Sequence, residues 1–349
     1  MRSPRSSYQR LAAVTGARQS GAALIVAMLV FALSVSLVVA MQSEFYRYFQ
    51  RTTNLLLAEQ ARAYLLGAED LAALALQQDY DQDVQAQRAR DDLTEFWAQQ
   101  SQPLPLDDIG WLRAEPIVDL QGRFNLNWLD EKPPQGKRFT PAQQQFVRLL
   151  QALPGVEVSE FEAVAITEAV IDWIDVDGTV LADGAEDDYY AAIAPGYRVA
   201  NRPMSSVSEL RAVANVTPEI YAVLQHLVTV WPQQPEPLNI HTAPEILLRS
   251  INADDDLTPL SEADGQTLVE QRQELGFADK QEFGKNPVFN GKSVSGAMGL
   301  LGESSSYFML HAWVELADRN MHLYSVLERR DRRVRTIARA GGSLQGASL

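Results

Sequence analysis

The sequence predicts an α+β protein, in which a long amino-terminal helix packs on an antiparallel sheet and a large all-α domain is inserted into the chain. Three observations support this fold class. Twenty uncharged residues, 22–41, are followed by a helical stripe of apolar residues. Alternating apolar residues near the carboxyl end indicate antiparallel strands with one buried face. Helix-period patterns fill the chain between these parts, so we expect that stretch to form a domain of its own.

The amino-terminal helix is long enough to cross a membrane and to continue beyond it. At a rise of about 1.5 Å per residue, residues 22–41 span the roughly 30 Å of bilayer hydrocarbon. Four arginines precede this run and none lies within it, which places the amino terminus in the cytoplasm and the bulk of the chain across the membrane. Further apolar residues follow at helical spacing: Ala61, Tyr64, Leu65, Ala68, Leu71, Ala72 and Ala75. We therefore expect one helix from residue 22 to about residue 77, half in lipid and half packed on a domain.

Two parts of the chain predict the sheet. In residues 115–129, apolar residues on both sides of Gly122 predict a hairpin that supplies the first strands. Residues 306–340 predict the carboxyl-terminal strands, because apolar residues alternate over three successive runs: 308–316, 321–327 and 334–338. The last residues, 341–349, are expected to form a flexible tail.

Residues 130–305 predict the inserted α-helical domain. Helical spacing extends over 142–153 and 161–174, and Ser206 or Ser208 is placed to cap a further helix. Residues 284–306 are rich in glycine and serine, which indicates a flexible return loop. The residues before the first strands, 22–114, are expected to form the long helix and a helical region that follows it.

Composition excludes several classes of function. The formal net charge of the 349 residues is −15, so the surface repels phosphates and no nucleic acid partner is expected. The absence of cysteine excludes disulfides, thiolate metal sites and cysteine nucleophiles. The four histidines are scattered, and neither a metalloprotease motif nor a nucleophile elbow is present. We therefore do not expect an enzyme.

The densest polar feature is the acidic segment 171–190, which contains seven carboxylates and no basic residue. Short acidic side chains close to glycine suit calcium, which takes about six to eight oxygen ligands. Asp175, Asp177 and Glu186 fall on the first, third and twelfth positions of an EF-hand loop, but Val180 stands where that loop requires glycine. The sequence therefore excludes an EF-hand. A calcium loop of another kind and a solvated acidic loop that caps helices remain equally open on composition.

A basic leader, residues 1–21, ends at Gly21 and precedes an apolar helix that starts at Ala22. This arrangement resembles the precursors of type IV pilins and type II secretion pseudopilins. The resemblance implies cleavage between Gly21 and Ala22 by prepilin peptidase and methylation of the new amino terminus. Most of these proteins carry glutamate at the fifth mature position, where this chain has Val26. That glutamate pairs with the amine of a neighbouring subunit, so Val26 fits a subunit without a neighbour on that side.

Five further segments resemble recurring blocks of the K-type minor pseudopilins of type II secretion systems, in the same order. They are RFNLNWL, IDWIDVDG, DGAEDDYY, YRVANRPMSSVSELRAV and LNIHTAP. That group typically lacks the glutamate replaced here by Val26. The resemblance implies a pseudopilin fold with an inserted helical domain. It also implies a subunit at the tip of the pseudopilus that initiates assembly and supports protein export across the outer membrane.

The resemblance further implies partners, a location and a metal. The partners are the I-type and J-type minor pseudopilins, other pseudopilins, prepilin peptidase and secreted substrates. The protein would cross the inner membrane once, with its amino terminus in the cytoplasm and its bulk in the periplasm. Carried over to the acidic segment, the family's calcium binding designates Asp175, Asp177, Glu186 and Asp187 as ligands, with Asp172 and Asp188 as further candidates.

Two alternatives remain. The first is an uncleaved, membrane-anchored periplasmic binding protein. The second is a DNA-uptake pseudopilin, because residues 206–224 and 238–277 resemble helix-hairpin-helix units. Such units present backbone amides and lysines to phosphate, whereas the first hairpin here lacks glycine and the second is acidic. We interpret both as a helical scaffold for protein contacts.

Overall fold

A computed structural model describes residues 20–88, 90–106, 110–254, 256–274, 276–316 and 319–341. The helices are α1 (Ser20–Ala86), α2 (Pro141–Gln151), α3 (Glu160–Ile174), α4 (Asp187–Ala192), α5 (Pro218–Leu224), α6 (Glu245–Ser250), α7 (Glu262–Glu274) and α8 (Lys280–Gly284). The strands are β1 (Leu104–Leu106), β2 (Gly110–Ala114), β3 (Val118–Asp119), β4 (Phe124–Asn125), β5 (Val228–Thr229), β6 (Leu238–Asn239), β7 (Leu301–Gly302), β8 (Tyr307–Leu316), β9 (Arg319–Arg330) and β10 (Arg333–Gly341). Short 3-10 helices cover Phe96–Ala98, Leu120–Gly122, Leu126–Asp130, Val207–Ala212, Pro287–Phe289 and Ala297–Leu300. The predicted α+β class is confirmed.

The described residues divide into two units, the first ending at Glu59 and the second beginning at Gln60. In the first unit the described residues belong to α1, and residues 21–50 are all exposed. Within the described part of the chain, α1 is the helix that is long and apolar enough to cross a membrane. The predicted leader falls almost entirely on residues 1–19, and the predicted tail on residues 342–349, both outside the described residues.

The second unit contains an antiparallel sheet in the order β1-β2-β8-β9-β10, with β3 also paired to β8. One face of β8 presents five buried side chains: Phe308, Leu310, Ala312, Val314 and Leu316. They share one apolar core with a stripe of α1 made of Ala61, Leu65, Ala68, Ala72 and Leu76. The three alternating runs near the carboxyl end are therefore the strands that the sequence predicts.

The predicted stripe on α1 differs from the observed stripe in two places. Leu71 is 55% exposed, whereas Leu76, outside the predicted stripe, is fully buried. Each helical residue lies about 100° around the axis from the next, so Leu71 cannot share the sheet-facing side with Ala72. The helix also continues to Ala86 instead of ending near residue 77.

The predicted hairpin over residues 115–129 is wrong. β3 pairs with β8, but β4 runs parallel to β5 in a separate two-stranded sheet. The alternation misleads because these residues enter two different cores: Ile117 packs with the sheet, and Phe124 packs with the helices. Gly122 allows close chain approach instead of a hairpin turn, since a Cβ there would lie 2.7 Å from Thr242 Oγ1.

The large sheet begins earlier than predicted. Its first strands are β1 and β2 at residues 104–114, within the stretch that the sequence predicts to be helical. The two strands are short and contain Pro105 and Gly110, so they give no alternating apolar run. Gly110 lies directly against β8, where a Cβ would clash with the backbone of Glu315.

Several helices of the second unit begin at a side-chain cap. Thr140 and Ser159 form capping boxes at the starts of α2 and α3. Ser206, one of the two predicted caps, caps the 3-10 helix Val207–Ala212. The flexible return loop predicted for residues 284–306 is wrong, because these residues include two 3-10 helices and β7 and bury Phe289 in the helical core.

A buried ionic cluster ties the end of α1 to the sheet. Arg329 on β9 is 7% exposed and donates from Nη1 to Asp79 Oδ2 at 2.7 Å and from Nη2 to Asp91. One oxygen each of Asp79, Asp91 and Glu95 lie within 4.8 Å of one another. Arg88 Nη2 and Trp97 Nε1 donate to Glu95. The cluster therefore holds more carboxylates than its two arginines neutralise.

This excess predicts a pH-dependent stability. Burial raises the pKa of Glu95 to about 8, and the nearby charge of Asp79 contributes to the rise. Folding then favours the protonated acid. The stabilisation is complete below the ordinary pKa of 4.5 and is lost as the pH rises to about 8. Glu95→Gln cannot ionise, so its free energy of unfolding should fall less steeply over this range than that of the wild type.

Urea unfolding at several pH values between about 5 and 8 measures this difference. Glu131→Gln is the control, because Glu131 is exposed. Equal pH slopes for the wild type and Glu95→Gln would show that Glu95 ionises normally in the folded protein.

Candidate cation site and amino-terminal segment

The candidate cation site lies in the loop between α3 and α4. Apolar side chains bury one side of α3 in the helical core, and Asp175 is its C-cap residue. Glu186 is the N-cap residue of α4, and Asp187 is the first residue of that helix. The fold therefore sets the predicted carboxylates at or near two helix ends that face one loop.

Two of these carboxylates have oxygens without a partner. Asp175 Oδ1 and Glu186 Oε1 are buried and accept no hydrogen bond from the described residues. Burial raises the pKa of Asp175 to about 6, with the charge of Asp177 as the next cause. Burial also raises the pKa of Glu186, followed by the charge of Asp175. Unpaired, mutually repelling carboxylates are a donor set that suits a divalent cation.

Two other predicted ligands hold the loop in shape. Asp172 is fully buried and accepts from the Leu181 amide at 3.2 Å, and burial raises its pKa to about 7. Asp187 Oδ1 accepts from the Val199 amide at 3.0 Å. These oxygens are committed to backbone amides, so their first role is to position the loop.

The remaining two predicted ligands, Asp177 and Asp188, are exposed. Asp177 accepts from the Thr179 amide at 3.0 Å and lies 3.3 Å from Lys132 Nζ, and these hydrogen bonds lower its pKa. Asp188 is exposed on α4. Asp175, Asp177 and Glu186 are thus near enough for their charges to act on one another, while Asp188 lies at the surface. Among the described residues, however, the three carboxylates with oxygens within 4.8 Å of one another are Asp79, Asp91 and Glu95, and not these loop residues.

Sequence reasoning missed residues outside the acidic segment that shape its charge. Asp130, at the end of the 3-10 helix Leu126–Asp130, contributes to the raised pKa of Asp175. Arg138 donates to Glu168 at 2.6 Å and to Asp183 at 2.8 Å, which neutralises one acidic residue of the loop. For Asp130, the one signal in the sequence was its position directly after the RFNLNWL block.

Gly184 is required by the close packing of this loop on α3. A Cβ at Gly184 would lie 2.0 Å from Asp172 Oδ2 and 3.2 Å from the Glu168 carbonyl oxygen. We expect Gly184→Ala to displace the loop and to destabilise the protein by about 1 to 3 kcal/mol, as overpacking does. Gly178→Ala in the same loop is a matched control, because a Cβ there meets no atom within 4 Å. Thermal unfolding of both variants tests this, and equal melting temperatures would contradict the requirement.

The predicted processing and assembly residues lie at the start of α1. Gly21 and Ala22 are exposed, and a Cβ at Gly21 would meet nothing within 4 Å. Val26 is 61% exposed. The structure thus places all three on an accessible helix, and cleavage between Gly21 and Ala22 stays a prediction.

Three features together define the pseudopilin class of proteins. They are an exposed apolar helix, the packing of a later stretch of that helix on an antiparallel sheet, and further helices with a core of their own. Models of the type II secretion system protein K family match residues 122–233 and 238–302. The chain belongs to this family, which is a structural component of type II secretion machinery.

Relatives and a solved structure agree with this assignment. The type II secretion system protein K of Pectobacterium carotovorum is 32% identical over 330 residues, covering 93% of this chain and 97% of that protein. The protein K of Pseudomonas aeruginosa is 33% identical over 328 residues, covering 93% of each chain. A chain in the crystal structure of the GspK-GspI-GspJ complex from enterotoxigenic Escherichia coli has the same fold, with a TM-score of 0.72 and 24% identity. The match covers 84% of this chain and 99% of that one.

Proposed function

We propose that this chain is a minor pseudopilin at the tip of the type II secretion pseudopilus, where it initiates assembly. It is cut between Gly21 and Ala22, is methylated there, and crosses the inner membrane once with its bulk in the periplasm. Val26 carries the proposal. It places an exposed apolar side chain where a filament subunit needs a carboxylate for its neighbour, so this subunit suits a position with no neighbour on that side.

I-type and J-type minor pseudopilins are the proposed partners. The support is the solved chain of the same fold, which was crystallised as a GspK-GspI-GspJ complex. Other pseudopilins and secreted substrates are further proposed contacts.

We also propose that the α3–α4 loop binds calcium. Asp175 and Glu186 supply the unpaired oxygens, Asp177 lies beside them, and Asp187 and Asp172 position the loop. A bound calcium ion supplies positive charge that cancels the repulsion among these carboxylates. The loop would then be fixed to the ends of both helices and present a constant surface to partners.

The tip position is tested by labelling one residue. The chain contains no cysteine, so Phe161→Cys creates a unique thiol on a side chain that is 72% exposed at the start of α3. Gold particles coupled to this thiol should appear at one end of assembled pseudopili in electron micrographs. Gold spaced along the filaments would contradict a tip position. Pseudopili that contain the unlabelled wild-type chain control for unspecific gold.

A further inference from the structure

The strongest unassigned cluster lies on the sheet face that points away from α1. His311 on β8 and His322 on β9 occupy diagonal positions, since His311 is paired with Tyr324 and His322 with Trp313. His311 Nε2 lies 3.1 Å from His322 Nδ1. The Tyr324 ring stacks on His311 at a centroid distance of 4.2 Å, which fixes the imidazole plane. Two ring nitrogens are thus held face to face, and His311 itself is buried.

A carboxylate lies on the other side of His311. Glu115 Oε2 is 3.1 Å from His311 Nδ1, and the Glu115 side chain is 53% exposed. The contact does not have hydrogen-bond geometry, so the buried Nδ1 has no hydrogen-bond partner among the described residues. The carboxylate faces Nδ1, and Nε2 is the His311 nitrogen that faces His322. Carboxylate, histidine and metal in this order are a common arrangement in metal sites, because the carboxylate orients the ring and raises its basicity.

The charges around the pair also favour a cation. Glu315 lies on the same face, and Arg113 neutralises its charge, with Arg113 Nε 3.3 Å from Glu315 Oε1. In the part of the chain that the structure describes, the ion-pair partner recorded for Glu115 is His311. The negative charge of Glu115 therefore lies next to the histidine pair.

We propose that His311 and His322 bind one divalent transition metal ion, such as Zn²⁺ or Cu²⁺, with Glu115 orienting His311. The ion replaces the proton that the two rings share. Metal–nitrogen distances of about 2.0 to 2.1 Å allow one ion to contact both nitrogens after a small tilt of the rings. His322 is half-buried, so water can complete the coordination from the solvent side. Imidazole nitrogens suit zinc and copper, whereas the α3–α4 loop offers oxygens that suit calcium.

Cu²⁺ titration of the full chain in detergent, followed by electron paramagnetic resonance, tests this site. The protein must carry no affinity tag, and millimolar Ca²⁺ occupies carboxylate sites. We expect one Cu²⁺ per chain with nitrogen hyperfine coupling in the wild type. His322→Gln should lose this signal. Glu115→Gln should bind Cu²⁺ roughly ten-fold more weakly, which a purely structural role of Glu115 would not cause.

His226→Gln is the matched control, because His226 is an exposed histidine that lies far from β8 and β9 in sequence. It should keep the wild-type spectrum and stoichiometry. Nitrogen coupling that is unchanged in His322→Gln, or that disappears in His226→Gln, would overturn the proposal. A wild-type spectrum without nitrogen coupling would overturn it as well.

Discussion

Arg329→Ala is expected to lower the free energy of unfolding by about 3 to 5 kcal/mol, the usual cost of removing one partner from a buried ion pair. Asp79 and Asp91, which are 7% and 1% exposed, would each lose the guanidinium that neutralises them. The substitution also removes a hydrogen bond to the Ser305 carbonyl and the stacking of the guanidinium over Phe308 at 4.9 Å.

The loss should become smaller at low pH. Burial raises the pKa of Asp79 to about 6 even beside Arg329, so protonation can neutralise an unpaired Asp79 in the variant. Urea unfolding followed by tryptophan fluorescence at about pH 5 and pH 8 measures both effects.

Arg332→Ala is the matched control. Arg332 Nε lies 2.9 Å from Asp81 Oδ2, but both side chains are exposed. The pair therefore contributes no more than about 1 kcal/mol to the free energy of unfolding. Losses of equal size in the two variants would show that the buried cluster does not carry the stability assigned to it.

Calcium is expected to stabilise the wild-type protein and to have no effect on an Asp175→Ala, Asp177→Ala variant. At a calcium concentration of about 100 times the dissociation constant, binding adds about 2.7 kcal/mol. For a chain of this size that corresponds to a rise in Tm of roughly 4 °C. In a chelator the Tm of the variant should equal or exceed that of the wild type, because the variant lacks two of the charges that raise the pKa of Glu186.

Thermal unfolding in Ca²⁺ and in EGTA compares the two proteins. Glu270→Ala, Glu274→Ala removes two exposed carboxylates from α7 and controls for net charge. It should respond to calcium as the wild type does. A wild-type Tm that is the same in calcium and in chelator, or an equal calcium response in the Asp175, Asp177 variant, would exclude the proposed site.

The sequence predicts those parts of the fold that depend on local periodicity. The alternation from Phe308 to Leu316 reports burial of one strand face, and it is visible without knowledge of any partner strand. The pairing of β4 with β5 depends on which distant segment lies alongside, so the pattern around Gly122 could not distinguish a hairpin from two short strands. Likewise, Arg329 and Asp79 are 250 positions apart, and nothing local to either residue indicates that they meet.

The sequence predicts which segment contains the candidate calcium ligands. It does not predict which of these residues position the loop and which keep oxygens free for an ion. The density of carboxylates identifies the segment. The sequence cannot show that Asp172 and Asp187 accept from the amides of Leu181 and Val199, because those amides are positioned by the folded chain. It also cannot show that Asp175 and Glu186 retain unpaired oxygens.

The amino-terminal residue of the mature protein tests the central claim most directly. In cells that contain prepilin peptidase, intact mass and amino-terminal sequencing should give a chain that begins at Ala22 and carries one added methyl group. A Gly21→Arg variant, which places a bulky charged residue before the cut, should keep Met1 and serves as the uncleaved reference. A wild-type protein that retains Met1 beside a peptidase that cuts the other pseudopilins would contradict the account and favour a plain membrane anchor.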